Sequence, residues 1–562
     1  MSNELGKNSL AAIIARPLIR HGSPLRGGIA VPPPGMRFRV GRFGRIFPEL
    51  KALVVPETAL VALGEAMVEG GANRTGDNPN ISAGFTYLGQ FIDHDITLDN
   101  TGIAERIKDV DQVVNFRTPR LDLDCVYGMG PGASPQLYDR RKTNPAQSSA
   151  RMLLGRTVQG FVGPDVKAGL EFDLPRGIQG RALIGDHRND ENLLVAQTHV
   201  AFLLFHNAIA RSRPELDFAQ VRQQVTWHYQ WMVLHDFLGK LVDMNDIASS
   251  LRKREFYRFE ELSLYKEPYI PVEFSVAAYR LGHSMVRGDY SHNRIFPDQP
   301  FLRSFVFSGL SGNIIGELAA DQANAPISGE PAVPALPSDW INDWRRFFDF
   351  GTDAGQKDGL ARNRSRLIDP YLVQALHELP GSRKGPGVDL ASHPSLAVRN
   401  LARGAKMMLP SGQDVARLMR VAPLTGREIS NSGDDGKVAE RHGLHERTPL
   451  WYYVLKEAQI RQRGERLGPV GSRILAEVFV GLLVGDPESF LAQNKGWTLE
   501  KPTWKPTIGE HPGSFSMTDL LRFAYGSKEA AEDVALSPVD VAANIQAPPP
   551  PSPAQAGVGQ PT

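Results

Sequence analysis

Between Leu193 and Leu204, apolar side chains fall at Leu193, Ala196, Val200, Leu203 and Leu204, at spacings of three and four. That period lays them along one face of a helix, so Asn192 to Arg211 is predicted helical. Val221 to Met244, Leu450 to Arg461 and Gly471 to Val484 carry the same signal, and strand-like alternation is scarce. The fold expected is all-α (mainly α), with one large domain over residues 41–536 and long loops between its helices. A chain of 562 residues can bury a core of that size, although length alone would admit roughly three to four domains.

The two ends read differently. Residues 1–40 read as an irregular arm that includes Val31-Pro32-Pro33-Pro34-Gly35. Residues 537–562 are rich in Pro and Ala, with four prolines from Pro548 to Pro551, and are expected to be a disordered tail. Ala325 to Pro337 is a further loop signal. The only apolar patch near the N-terminus, Leu10 to Ala15, is too short for the core of a signal peptide. The longest apolar stretch, Ile474 to Val484, contains Glu477, so no transmembrane segment is expected. Cys125 is the one cysteine, which rules out an intrachain disulfide and suits a reducing compartment or leaderless export. A net charge of +1 offers no field for nucleic acid or an anionic membrane.

Four short segments carry possible chemistry. In Gly89-Gln90-Phe91-Ile92-Asp93-His94-Asp95, a helix puts Gln90 and His94 one turn apart on one face. Asp95 then points about 100° around the axis, toward a different site. An imidazole and an amide facing one cavity suit proton transfer near neutral pH; a surface helix flanked by solvated acids is the plainer alternative. Thr118-Pro119-Arg120-Leu121-Asp122-Leu123-Asp124 alternates oxygen-bearing side chains along an extended loop. Thr118, Asp122 and Asp124 could converge there with the Arg120 carbonyl and Asp95 on Ca²⁺, which takes six to eight hard oxygen ligands; a polar turn is the alternative.

The third segment is Gly185-Asp186-His187-Arg188-Asn189-Asp190-Glu191, before the helix from Asn192. It reads as an acidic helix start, or as a place to fix Arg188 against negative charge developing in a pocket. In the fourth, Tyr279-Arg280-Leu281-Gly282-His283-Ser284, His283 could ligate a metal, although a lone histidine of this kind is more often a core residue. His199, His206, His228 and His235 read as helix residues with local hydrogen bonds.

Taken together and in this order, the four segments resemble the distal, calcium, arginine and proximal motifs of the animal haem peroxidase family, whose members include myeloperoxidase and lactoperoxidase. The resemblance runs from about Arg42 to Ala524. Arg42 to Pro48 (RFGRIFP) and Gly464 to Val470 (GERLGPV) look like bacterial members in particular. It implies a large single-domain fold with haem b between central helices. His94 would be the distal histidine, Gln90 an amide of the same pocket and Arg188 the distal arginine. His283 would bind the iron and Asn400 would accept the proton on its other nitrogen. Asp93 and Glu191 match positions that form ester links to haem in relatives. Asp95, Thr118, Arg120 through its main-chain oxygen, Asp122 and Asp124 match the calcium site. Asn192 stands where myeloperoxidase has a haem-linked methionine, so a sulfonium link is not expected and chloride oxidation becomes doubtful. Asp124 replaces a serine and Arg120 an aromatic residue.

The resemblance implies a peroxidase that reduces H₂O₂ and oxidises small organic donors, halides or thiocyanate through a high-valent haem, in a response to oxidative stress. Cyclooxygenase relatives place a radical-forming tyrosine three residues before the proximal histidine. Here that residue is Arg280, with Tyr279 one position off, which favours peroxidase over a fatty-acid dioxygenase. A non-enzymatic haem-binding protein is a third reading. Cytoplasmic location or leaderless export is expected, with secretion open by family.

Overall fold

The structure is a computed structural model that describes residues 41–71, 73, 75–98, 113–139, 150–160, 168–177, 180–263, 266–305, 335–351, 362–379, 382, 385, 389–526 and 536–539. The N-terminal arm, most of the Ala325–Pro337 loop and residues 540–562 lie outside these. The principal helices are α1 (Glu57–Ala66), α2 (Gly84–Ile96), α3 (Leu193–Ser212), α4 (Phe218–Met232), α5 (Leu396–Lys406), α6 (Leu450–Gln462), α7 (Pro469–Gly485) and α8 (Met517–Tyr525). Strands are short pairs. The largest sheet among the described residues joins Gly41–Gly44 antiparallel to Val114–Asn115 (Gly41 opposite Asn115) and parallel to Ile270–Pro271 (Phe43 opposite Ile270).

α3 is the central helix. Asn192 caps it by accepting the Val195 N–H at 3.0 Å. All but its last two residues are buried. Its polar residues do not interrupt that burial, because each finds a partner inside. Gln197 donates to the Phe172 carbonyl, His206 meets Tyr127 and the Ala150 carbonyl, and Asn207 clasps the main chain of Met152. By length and composition this 20-residue helix could cross a membrane, contrary to the reading that no segment reaches that length. Its burial on every face makes it a core helix here.

The predicted Val221–Met244 helix divides. It begins earlier, at Phe218, where Asp217 and Gln220 form a capping box. It widens into a π turn at Val233–Phe237, ends at Leu241, and a new helix starts at Met244. The π turn presents Phe237 to Gly89 of α2: a Cβ on Gly89 would sit 3.2 Å from that ring. Ordered packing also continues past residue 536. Ser537 and Val539 are buried, Val539 against the cluster of Leu193, Leu336, Trp340 and Ile341.

Two carboxylates pin the segments that flank the site. Glu273, fully buried, accepts the N–H groups of Ile46 and Phe47 and so ties the Arg42–Pro48 motif to the chain leading to His283. In α6, Lys456 is ion-paired with Asp435 at 2.8 Å, both fully buried, and Tyr452 and Tyr371 also donate to Asp435. α6 supports the His283 segment through Trp451, whose indole N–H donates to the Arg280 carbonyl. Removing one partner of a buried pair strands the other charge. Lys456→Met should therefore cost about 3–5 kcal/mol of stability in denaturant titration, and Lys456→Met with Asp435→Asn should recover part of it. Equal losses in the single and double variants would contradict this account of the pair.

Candidate active site

His94 lies in the last turn of α2, fully buried. Its Nδ1 is 2.9 Å from Asn189 Oδ1, and its Nε2 is buried without a hydrogen-bond partner. Burial, and next the nearby Arg188 cation, bring the His94 pKa down to about 4. One turn earlier on the same face, the Gln90 amide donates to Glu191 Oε2 and accepts from the Asn192 side chain, both at 3.1 Å. Asp93 and Glu191 both act electrostatically on His94. The structure thus brings Gln90, Asp93, His94, Arg188 and Glu191 together.

Arg188 is not aimed as the sequence reading expects. Its Nε and Nη2 grip the Asp186 carboxylate, and Nη2 also donates to the carbonyls of His94 and Thr97. Asp186 is fully buried, and the guanidinium groups of Arg117 and Arg188 hold its carboxyl well below the usual range. The arginine is therefore anchored at the C-terminal end of α2, where exposed carbonyls attract a cation.

His283 ends a 3-10 turn, Ala278–His283, that follows a π turn at Glu273–Ala277. Its Nδ1 is 2.8 Å from Asn400 Nδ2 on α5, and Asn400 Oδ1 accepts from Arg280 Nη1 at 2.6 Å. The sequence reading has Asn400 accept a proton from His283; here Arg280 occupies the amide oxygen and turns the amide nitrogen toward the imidazole. Rotating the amide by 180° would let its oxygen accept from His283 but would set its nitrogen against Arg280 Nη1, so Arg280 would have to give way. Burial pushes the Arg280 guanidinium down, and the Asp93 carboxylate opposes that shift. Tyr279 joins the two histidine-bearing elements directly. Its hydroxyl donates to the Gly89 carbonyl of α2 at 3.0 Å, and its ring stacks on Phe274.

Asp95, next to His94, points elsewhere. Its carboxylate lies with those of Asp122 and Asp124, all buried, their candidate ligand oxygens within 4.8 Å of one another. The Leu123 N–H and the Tyr229 hydroxyl reach Asp95 Oδ2, while its Oδ1 is buried without a partner. Leu123 adopts the left-handed conformation (φ 57°), which lets the loop double back. Burial together with Asp122 and Asp124 pushes the Asp95 carboxyl well up. Burial likewise pushes Asp124 to about 7 although Arg117 opposes it. Such a cluster needs protons or a cation, and all-oxygen donors fit Ca²⁺. Thr118 donates its hydroxyl to Asp122 at 3.1 Å. The Arg120 side chain turns away to Asp486 at 3.5 Å.

Sequence reasoning missed Arg117, Asp186 and Asn189. Arg117 is buried and bonds Asp124, Asp186 and the Gly185 carbonyl. That close approach explains Gly185, where a Cβ would lie 2.5 Å from the carbonyl oxygens of Asp124 and Cys125. The available signal was the unusual Asp124: an extra buried carboxylate calls for a cation nearby, and Arg117 is seven residues upstream.

Residues 100–494 match the family model described as animal haem peroxidase. The chain is 24% identical to dog thyroid peroxidase over 405 residues, which cover 67% of this chain and 37% of that protein. The curated relatives matched are longer, and the matches span 15–39% of their lengths. Among solved structures, peroxidase A of Dictyostelium discoideum aligns with a TM-score of 0.50 at 15% identity, covering 80% of this chain and 88% of that one. Arabidopsis thaliana fatty acid alpha-dioxygenase aligns with a TM-score of 0.53 at 13% identity, covering 89% and 80%. Both likenesses concern the fold. Calcium at about 100 times its Kd should stabilise the native protein by about 2.7 kcal/mol, read as a rise in unfolding midpoint. Asp122→Ala should abolish that rise, and a variant that keeps it would contradict the assignment of the cluster.

Proposed function

Because the chain belongs to the animal haem peroxidase family, we propose that it is a haem-dependent peroxidase that consumes H₂O₂ and oxidises small organic donors or thiocyanate. The observation that carries this reading is the buried, unpartnered Nε2 of His94 on a helix that touches the turn bearing His283. Haem b bound with its iron on His283 supplies the redox chemistry that cleaves the O–O bond and holds the oxidising equivalents. The residues fit that group. Nδ1 of His283 sits against the Asn400 amide, and an amide rotated to accept from Nδ1 would favour ligation through Nε2 and raise its basicity, with Arg280 giving up its bond to that amide oxygen.

His94 does the proton work. With its pKa near 4 it is neutral at physiological pH, so Nε2 could take a proton from one peroxide oxygen and pass it to the other as the O–O bond opens. Arg188, held beside α2 by Asp186, places positive charge next to this transfer and opposes build-up of a second positive charge on His94. Gln90 is locked between Glu191 and Asn192, which suits it to hold water or a small anion at the same face. Glu191 and Asp93 supply the carboxylates for ester links to haem. Asn192 offers no sulfur for a third link, so strong chloride oxidation is not expected. Asp95, one residue on, lets Ca²⁺ in the acidic cluster hold the end of α2 that carries His94.

The dioxygenase reading needs a tyrosine free to form a radical beside the haem. Tyr279 instead spends its hydroxyl on the Gly89 carbonyl, one residue from the matching position. Absorption spectra of the purified protein before and after H₂O₂ should show haem and its oxidation. His94→Ala should slow the reaction with peroxide by about 10²–10⁴-fold, the share of a positioned base. Unchanged peroxide turnover in that variant, or oxygen uptake with linoleate and no peroxide, would overturn the proposal.

A further inference from the structure

We propose that Asn189 is a positioning residue that fixes which nitrogen of His94 carries the proton, and that His199 fixes the orientation of Asn189. The inference rests on the peroxidase reading, because it concerns how His94 is prepared to act. The Asn189 side-chain oxygen lies 2.9 Å from His94 Nδ1, and an amide oxygen can only accept. Neutral imidazole has a single N–H, so that bond places the proton on Nδ1 and the lone pair on Nε2, the nitrogen left without a partner. His94 and Asn189 are both fully buried, so water does not compete for the bond.

A side-chain amide turned by 180° would do the opposite. Its NH₂ would face Nδ1 and the proton would move to Nε2, where His94 could no longer accept one. His199 on α3 opposes that rotation. Its Nδ1 lies 3.0 Å from Asn189 Nδ2 and accepts from it. The His199 ring is itself held edge-to-face against Phe91 of α2, with centroids 5.9 Å apart. The backbone of Asn189 is fixed within the 3-10 turn His187–Asp190, where its N–H donates to the Asp186 carbonyl at 3.1 Å.

A buried chain His94–Asn189–His199 therefore ties α2 to the 3-10 turn and the start of α3. It leaves the Nε2 of His199 buried without a partner, a cost that packing alone does not call for, since an apolar side chain would fill the same space. His199 consequently belongs to the site, although its sequence context suggested only a local hydrogen bond.

Cyanide association with the ferric, haem-loaded protein reads the tautomer without turnover. HCN must pass its proton to a distal base as the anion binds iron, so the rate depends on a lone pair at His94 Nε2. The comparison uses wild type, His94→Ala, Asn189→Leu and Asn189→Asp, with haem content and unfolding midpoint measured for each. Asn189→Leu should slow cyanide association by about tenfold or more, part of the effect of losing the base itself. Asn189→Asp keeps an acceptor for the Nδ1 proton and should stay within about threefold of wild type. A merely structural role predicts the reverse order, because a buried carboxylate disturbs packing more than leucine does. If Asn189→Leu does not fold, Asn189→Ala takes its place in the same comparison. Wild-type rates in the leucine or alanine variant, or equal slowing in the aspartate variant, would overturn the proposal. A His94→Ala variant that binds cyanide as fast as wild type would instead overturn the underlying reading of His94.

Discussion

The rotational setting of α2 about its own axis is the constraint on which the rest of the site depends. Gln90 and His94 share one face, while Asp95 projects about 100° away into the acidic cluster. A small rotation would spoil both sites at once. Three contacts resist it. Phe91 stacks on Phe202 of α3 with centroids 4.5 Å apart, Gly89 admits Phe237 at close range, and the Gly89 carbonyl accepts the Tyr279 hydroxyl. The last of these links the helix to the turn that ends at His283. The spacing between the two histidines is thus set by packing of bulky rings around a residue without a side chain.

Charge is arranged to match. Asp186 sits between two guanidinium groups, Arg188 beside His94 and Arg117 beside Asp124. A carboxylate this deeply buried would be costly alone, and with two cations it becomes an anchor. The acidic cluster and the His94 pocket therefore share one ionic framework. In that framework Arg117 partly offsets Asp124. A cation held by the cluster would then belong to the same electrostatic arrangement as Arg188.

Much of this was legible in the sequence because helical period is a local signal. α3, α6 and α7 fall within a residue or two of their expected ends, and the caps at Asn192 and Asp217 follow ordinary rules. Asp95, Asp122 and Asp124 were expected to converge, and they do. What could not be read was the partner of each buried polar group. Asn189 bridges His94 and His199, Arg188 turns to Asp186, and Arg280 takes the Asn400 oxygen. His94–Asn189 and Arg280–Asn400 join residues far apart in the chain, and even the near neighbours Arg188 and Asp186 pair without leaving a periodic trace. The π turn at Val233–Phe237 was equally invisible, since widening a helix by one residue barely alters its apolar pattern. The buried transmembrane-length helix shows the converse, where composition alone misjudges a segment whose polar side chains are satisfied internally.

The central claim is that His94 and His283 face opposite sides of one haem. Anomalous diffraction at the iron edge, on crystals of the haem-loaded protein, tests it most directly. The account requires a single iron peak at coordination distance from His283 Nε2, with His94 Nε2 across the porphyrin plane and too far away to ligate. Iron bound by any other side chain, or a porphyrin with both imidazoles on the same side, would contradict it.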